Sequence, residues 1–237
     1  MPDRLLRAIG EAYGKTGGRR NKLLGEWVLA AVLLLVVALA AAGARAAAGT
    51  GAKIVVVFGD SLGAGYNLPP DEGFAPQLER ALQAAGVNVR VENASISGDT
   101  TAGGRARLDW AIIGNPDVVI VELGANDALR GLDPALTRRN LAAILARLKA
   151  RGIGVLLAGM RAPPNMGREY EAAFNAIYPD LAARYDVPLY PFFLDGVAGR
   201  PNLVQRDGKH PTAGGVAEIV ARIAPMVIDL LNGKARQ

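Results

Sequence analysis

Ser61 stands directly after a short β-branched run, in the sequence Gly59-Asp60-Ser61-Leu62. A serine on a tight turn between a strand and a helix is held clear of the sheet with its hydroxyl exposed, as a nucleophile requires. A serine in such a place can also cap the helix that follows, which is the commoner role for an isolated serine. The segment therefore indicates catalysis only if suitable partners exist elsewhere in the chain.

His210 is the only histidine of the chain, and it lies in the sequence Asp207-Gly208-Lys209-His210-Pro211. Because a residue before proline avoids helical backbone, the segment is predicted to be a loop in front of the final helix. An aspartate three residues earlier can accept the Nδ1 proton of the imidazole, which leaves Nε2 free to take a proton from a serine. The alternative is an exposed histidine in an Asp-Gly turn.

Two further segments offer hydrogen-bond donors to a developing negative charge. Residues 93–100 (NASISGDT) contain Gly98, and residues 124–127 (GAND) contain Asn126, whose side-chain amide can donate to an oxyanion. Either segment alone can be a polar turn that ends a strand. Their combination with one serine, one histidine and a suitable aspartate favours serine-hydrolase chemistry.

Composition excludes several other classes of protein. Cysteine is absent, so disulfides, thiolate metal sites and a cysteine nucleophile are all excluded. The net charge of +5 lies mainly in residues 1–48, because the rest of the chain has 20 basic and 19 acidic residues. Without a basic stripe, nucleic acid is not expected as a partner. The segment Gly63-Ala64-Gly65 lacks the spacing of a dinucleotide loop and the lysine of a nucleotide loop.

Five apolar runs and the segments between them predict the scaffold that positions these side chains. Strands are predicted at residues 53–58, 87–92, 117–123, 153–158 and 187–190. Helices are predicted at residues 73–85, 105–113, 134–151, 170–185 and 213–231, with a kink or break at Pro225. Such alternation indicates a parallel sheet covered by helices on both faces. Since α/β sheets bind ligands beyond the carboxyl ends of their strands, the site is expected in the loops that start at Gly59, Asn93, Gly124 and Gly159.

Residues 1–48 are predicted to be an export signal, separate from a domain at residues 49–237. A basic stretch around Arg19 precedes a 16-residue apolar run from Trp27 to Ala42, and small residues follow this run. These parts are typical of a cleaved secretory signal, which would leave the domain periplasmic or secreted. The alternative is an uncleaved anchor at residues 27–44 that holds the domain outside the cytoplasm.

The four site segments resemble, in the same order, the four blocks of the SGNH (GDSL-type) hydrolase family. These are Gly59-Asp60-Ser61-Leu62, Gly98, Asn126 and Asp207-x-x-His210. The similarity covers residues 53–232. Its longer stretches resemble the bacterial thioesterase I/protease I/lysophospholipase L1 (arylesterase) branch, and they lie at residues 93–100, 121–131, 171–179 and 186–193.

The resemblance implies a flavodoxin-like three-layer α/β/α sandwich with a five-stranded parallel sheet. It implies a triad of Ser61, His210 and Asp207, and an oxyanion hole built from the backbone N–H groups of Ser61 and Gly98 and the Asn126 side chain. The implied reaction is hydrolysis of acyl esters (aryl esters, lysophospholipids or acyl thioesters) through an acyl-enzyme, without metal or cofactor. A loop at residues 160–167 is similar to the one that lines the acyl groove, which makes five residues substrate-binding candidates: Met160, Pro163, Pro164, Asn165 and Met166.

Two alternatives remain open at this point. One is a carbohydrate O-acetylesterase of the same fold, and the other is a nonenzymatic, membrane-tethered binding protein. Lys209 and Arg206 stand where relatives often have apolar or acidic residues, which leaves the fine substrate preference undecided. The expected partner is a small acyl ester or lipid, the chain is expected to be a monomer, and membrane contact is expected only through an uncleaved N-terminal segment.

Overall fold

The computed structural model describes residues 51–233 of the chain. The predicted signal or anchor therefore lies outside the described residues, and so does the apolar run at residues 27–44. Within residues 51–233, no helix combines the length and the apolar character that crossing a membrane requires.

Five strands form one sheet in which every neighbouring pair is parallel. The strands are β1 (Lys53–Gly59), β2 (Val89–Asn93), β3 (Val118–Glu122), β4 (Gly154–Ala158) and β5 (Leu189–Tyr190). Their order across the sheet is β2-β1-β3-β4-β5, the order of flavodoxin-like folds. The central strands β1 and β3 are rich in buried valine, which suits a strand covered on both faces. The predicted five-stranded parallel sheet is confirmed.

Eight α-helices lie within the described residues and flank this sheet. They are α1 (Ser61–Ala64), α2 (Phe74–Ala84), α3 (Thr101–Ala111), α4 (Ala125–Leu129), α5 (Pro134–Ala150), α6 (Arg168–Asn175), α7 (Ile177–Tyr185) and α8 (Ala213–Leu231). Helix α2 packs against α8, and α5 packs against α3 and α7. The apolar residues predicted at helical spacing on α5 are fully buried, namely Leu141, Ile144, Leu145 and Leu148.

Three predicted helices differ from the observed ones for local reasons. Helix α3 begins four residues earlier than predicted, because the Thr100 hydroxyl accepts a hydrogen bond from Gly103 N–H and caps the first turn. The predicted single helix at residues 170–185 is wrong, because it divides at Ala176 into α6 and α7. Pro179 has no N–H to donate to the Asn175 carbonyl, so it fits only in the first turn of a new helix. In contrast, α8 continues through Pro225 without a break.

Candidate active site

The carboxyl ends of the strands surround a cavity of about 820 Å³. Its wall includes Ser61 after β1, Gly98 after β2, Asn126 after β3 and Met160 after β4, together with His210 from the loop before α8. The location predicted from strand ends is thus where the structure brings these five residues together. Four of these residues follow strands and share one cavity because parallel strands all end at the same edge of the sheet, and the loop before α8 adds His210.

Ser61, His210 and Asp207 are joined by two short hydrogen bonds. The Nε2 atom of His210 lies 2.8 Å from Ser61 Oγ, and its Nδ1 atom lies 2.6 Å from Asp207 Oδ2. With Asp207 accepting the Nδ1 proton, Nε2 is unprotonated and can accept the proton of the serine hydroxyl. Such a chain can raise the nucleophilicity of the serine at the moment of attack.

Backbone bonds within the 205–211 loop fix the carboxylate and the imidazole. Asp207 Oδ1 accepts hydrogen bonds from the N–H groups of Lys209 (2.9 Å) and His210 (3.1 Å). The hydrogen bond from the His210 side chain, together with these N–H donors, lowers the pKa of Asp207 to about 2. The Tyr66 ring packs against the imidazole with centroids 4.6 Å apart, and Gln205 Nε2 donates to the Tyr66 carbonyl. The loop is therefore tied to the segment that follows α1.

Ser61 is the first residue of α1, and Asp60 rather than Ser61 caps this helix. Asp60 Oδ1 accepts a hydrogen bond from Leu62 N–H at 3.1 Å. The alternative role of Ser61 as a helix cap is therefore taken by its neighbour, which leaves the serine hydroxyl to His210. No residue of the described chain accepts a hydrogen bond from the Ser61 N–H.

Gly98 lies in a turn after β2 with φ of 82°, a left-handed conformation that glycine adopts without steric cost. Its carbonyl accepts a hydrogen bond from Arg130, while its N–H has no acceptor among residues 51–233. Because Gly98 and Ser61 both line the cavity, two backbone N–H groups there are available to a bound ligand.

Asn126 lies in the first turn of α4, and its side chain is already engaged. The Nδ2 atom donates to Asp60 Oδ2 at 3.1 Å and to the Asp99 carbonyl at 2.9 Å. Both amide hydrogens thus have protein acceptors in this structure. Donation to an oxyanion would require one of these two bonds to be shared or released.

Arg107 was not predicted to have a role, yet it connects the first two loops of the site. Its side chain is only 6% exposed and pairs with Asp99 at 2.6 Å. The same guanidinium donates to the Ala94 carbonyl at 2.5 Å and to the Gly59 carbonyl at 3.0 Å. Asp99 stood within a segment recognised from the sequence, but an arginine inside a predicted helix gives no local sign of such contacts.

The loop at residues 160–167 forms part of the cavity wall. Met160, Pro163 and Pro164 line the cavity, whereas the predicted substrate-binding candidates Asn165 and Met166 are not among its lining residues. The sequence did not indicate the other apolar wall residues, which are Leu62, Leu129, Ala162, Phe192, Leu194 and Ala198. The wall is therefore mainly apolar, but it also includes the charged residues Arg161, Glu171 and Lys209.

Two buried carboxyl groups lie next to the turn that holds Ser61. Burial raises the pKa of Asp60 from 3.8 to about 6, although hydrogen bonds from Leu62 and Asn126 oppose this shift. Burial also raises the pKa of Glu122 well above its ordinary value, and the charge of Asp60 raises it further. Burial and the neighbouring Asp60 thus both favour the neutral form of Glu122.

A parallel α/β sheet with serine, histidine and aspartate joined at its carboxyl edge is the arrangement of serine hydrolases. The GDSL-like Lipase/Acylhydrolase family matches residues 57–217, and the chain belongs to this family. Similarity to known proteins confirms the fold, the family and the enzyme class predicted from the sequence, a carboxylic ester hydrolase.

Three relatives illustrate this similarity. Esterase TesA of Pseudomonas aeruginosa is 41% identical over 181 residues, which cover 76% of this chain and 90% of the relative. Thioesterase 1/protease 1/lysophospholipase L1 of Escherichia coli is 42% identical over 189 residues, which cover 79% and 88%. Among solved structures, AlinE4, described as a SGNH-hydrolase family esterase, has a TM-score of 0.65 and 49% identity, covering 76% of this chain and 96% of AlinE4.

Proposed function

We propose that the chain hydrolyses acyl esters with Ser61 as the nucleophile, His210 as the general base and acid, and Asp207 as the carboxylate that orients His210. The observation that supports this assignment is the continuous hydrogen-bonded path from Asp207 Oδ2 through the imidazole to Ser61 Oγ. Each contact is short enough for proton transfer or tautomer control in the ground state.

The reaction follows from this geometry in two halves. Ser61 Oγ attacks the ester carbonyl carbon while its proton moves to His210 Nε2, and the resulting imidazolium is stabilised by the ionised Asp207. The imidazolium then gives that proton to the leaving alcohol or thiol as the C–O or C–S bond breaks. In the second half, water attacks the acyl-enzyme, His210 takes a proton from the water and returns it to Ser61, and the acid is released.

The oxyanion formed in each half needs hydrogen-bond donors near Ser61. The N–H groups of Ser61 and Gly98 fit this role, because both residues line the cavity and neither N–H has an acceptor in the described chain. Asn126 is the third proposed donor, with one of its Nδ2 bonds to Asp60 or Asp99 shared in the transition state. Removal of one such donor typically slows a reaction on the order of 10²–10³-fold.

The apolar wall of the cavity favours substrates with an acyl chain longer than acetyl. Each methylene buried there contributes up to about 0.8 kcal/mol of binding free energy. A carbohydrate O-acetylesterase, the alternative, would need mainly polar groups to hold a glycan, whereas most of the residues that line this cavity are apolar. Relatives whose names include arylesterase, thioesterase and lysophospholipase support aryl esters, acyl thioesters and lysophospholipids as the substrates to test.

A chain-length profile tests this proposal. The rate constant kcat/KM for p-nitrophenyl esters should rise at least tenfold from acetyl to octanoyl, and Ser61→Ala should abolish it.

Leu129, which lines the cavity and is 50% exposed, provides a variant with little risk to folding: Leu129→Asn should lower kcat/KM for octanoyl but not for acetyl esters. Leu136→Asn is the matched control, because Leu136 is 45% exposed and does not line the cavity. Preference for acetyl-xylan over all acyl esters would instead establish the alternative.

We further propose that the domain acts outside the cytoplasm, in the periplasm or after secretion, with residues 1–48 as its signal or residues 27–44 as its anchor. The sequence of basic residues, an apolar run and small residues supports this proposal. Mass spectrometry of the exported protein distinguishes the two forms: an N-terminus near residue 48 means cleavage, whereas an intact N-terminus means an anchor.

A further inference from the structure

Glu122 is a fully buried carboxyl group that the proposed reaction does not use. It is the last residue of β3 and pairs in register with Gly59, the last residue of β1. Its Oε2 atom accepts hydrogen bonds from the N–H groups of Asp60 (3.2 Å) and Gly63 (3.0 Å). Its Oε1 atom is buried and has no hydrogen-bond partner in the described part of the chain. A buried acid without a cation is costly, so a functional reason for it is worth seeking.

The two bonds of Glu122 occur at the turn that presents the nucleophile. Among the N–H groups at the start of α1, that of Leu62 donates to the Asp60 side chain and that of Gly63 donates to Glu122. The Ala64 N–H donates to the Asp60 carbonyl. Of the N–H groups in this turn, only that of Ser61 has no acceptor among residues 51–233. Glu122 and Asp60 together thus use the N–H groups around Ser61 and leave that of Ser61 itself to a ligand.

Close packing shows that the turn is built around this carboxyl. A Cβ atom added at Gly59 would overlap Glu122 Oε2, and one added at Gly63 would lie 3.1 Å from the same oxygen. Gly59 must therefore be glycine for the backbone to come this near to the carboxyl, whereas a Cβ atom at Gly63 would first meet Ser95 Oγ, at 2.6 Å. The carboxyl occupies the space inside the turn and contacts it on both sides of the nucleophile.

We propose that Glu122 is a positioning residue for the ester hydrolysis, and this inference rests on the function proposed above. Its carboxyl holds the turn at Asp60 and Gly63, and thereby keeps Ser61 Oγ directed at His210 and the Ser61 N–H directed at the cavity. Its Oε2 atom accepts hydrogen bonds from two backbone N–H groups, and burial and the nearby Asp60 favour the neutral acid. Glutamine, which keeps an acceptor oxygen at the same place, should therefore replace it closely.

Three variants distinguish a role of Glu122 in positioning Ser61 from a contribution to the stability of the fold alone. Glu122→Met keeps the length of the side chain but removes the acceptor, and it should lower kcat on the order of 10²-fold, as misplacement of a reacting group by about 1 Å does. Its KM should change less than threefold, because the cavity wall is untouched. Glu122→Gln should retain at least a third of the wild-type kcat. Glu122→Asp, which keeps the carboxyl but withdraws it by one methylene, should lose at least tenfold in kcat.

The control is Leu148→Ala, which removes a fully buried side chain of α5 remote from the cavity. It should lower the midpoint of thermal unfolding without changing kcat. The rate of serine labelling by a fluorophosphonate should fall in parallel with kcat in Glu122→Met and Glu122→Asp, but not in Leu148→Ala. If Glu122→Met does not fold, Glu122→Asp and Glu122→Gln carry the comparison.

Two results overturn the inference alone. The first is a kcat within threefold of the wild-type value in folded Glu122→Met or Glu122→Asp. The second is an equal loss of kcat in Glu122→Gln and Glu122→Asp. Ester hydrolysis by Ser61→Ala at the wild-type rate would overturn the proposed function, and this inference with it. The two failures are distinguishable because the second requires no Glu122 variant.

Discussion

The imidazole Nε2 of His210 lies 2.8 Å from the hydroxyl oxygen of Ser61, across 149 positions of sequence. The position of Ser61 is fixed by the end of β1 and the first turn of α1, while His210 lies in the loop before α8. Gln205 joins these two regions, because its Nε2 atom donates to the Tyr66 carbonyl after α1 and to the Pro211 carbonyl beside the histidine. The contact between nucleophile and base is therefore held by the fold on both sides.

Asp207→Asn should lower kcat on the order of 10²–10⁴-fold with little change in KM, because an amide facing Nδ1 favours the tautomer whose Nε2 is already protonated. The pKa of Asp207, lowered to about 2 by its bond to His210, means that this carboxylate stays ionised throughout the usual assay range. Loss of activity on acidification to pH 5 should therefore be unrelated to protonation of Asp207.

Steady-state hydrolysis of p-nitrophenyl butyrate checks this prediction. Asp195→Asn is the matched control, since Asp195 is an exposed aspartate that pairs with Arg222 and does not line the cavity. Equal kcat values for the two aspartate variants would contradict the role of Asp207.

Asn126→Ala should lower kcat by roughly tenfold to 10²-fold while KM changes little, since a donor to the oxyanion acts in the transition state and not in the ground state. The effect should be smaller than for a donor with free hydrogens, because both Nδ2 hydrogens already have acceptors in Asp60 and Asp99. The comparison is with Asn140→Ala, which removes a half-buried asparagine of α5 outside the cavity. A rise in KM with unchanged kcat would assign Asn126 to substrate binding instead.

The free energy of unfolding should fall as the pH rises from 4 to 7, in contrast to the usual behaviour of a protein with paired carboxylates. Burial raises the pKa of Asp60 from 3.8 to about 6, so between these values the folded state binds more protons than the unfolded state. The stabilising effect of the neutral acid is complete below pH 3.8 and is lost as the pH rises through 6. Its size is at most roughly 3 kcal/mol.

Urea unfolding of the wild type and of Asp60→Asn at several pH values between 4 and 7 measures this effect. The difference in stability between the two proteins should shift in favour of Asp60→Asn as the pH rises. Parallel pH profiles for the two proteins would show that Asp60 does not titrate in this range.

Local sequence patterns were enough to predict the sheet and the three residues of the proposed triad. Strands β1 and β3 are buried on both faces, so their sequences are nearly continuous runs of β-branched residues. The residues at which these runs end are therefore evident from the sequence. His210 precedes Pro211, and Ser61 lies two residues from Gly59 and from Gly63, so both stand near residues that mark turns in a sequence. The family resemblance then supplied the order in which the four segments belong together.

The supporting groups could not be predicted, because their contacts depend on register and packing. Glu122 reaches the nucleophile turn only because β1 and β3 pair with Gly59 opposite Glu122. Within its own strand it resembles any polar residue at a strand end. Arg107 likewise meets Gly59 and Asp99 only after α3 has packed against the sheet. The cavity wall from Phe192 to Ala198 lies in a region of turns, for which the sequence gave no periodic pattern.

The most direct test of the proposed chemistry is to label the protein with a fluorophosphonate and to locate the adduct by peptide mass spectrometry. The adduct should be on Ser61, with one phosphonyl group per chain, and Ser61→Ala should show neither labelling nor ester hydrolysis. His210→Ala should fold normally, since its loop is outside the core, but should label at least 10³-fold more slowly, because the chain has no other imidazole to act as the base. An adduct on a different residue, or full hydrolysis by Ser61→Ala, would contradict the assignment of Ser61 as the nucleophile.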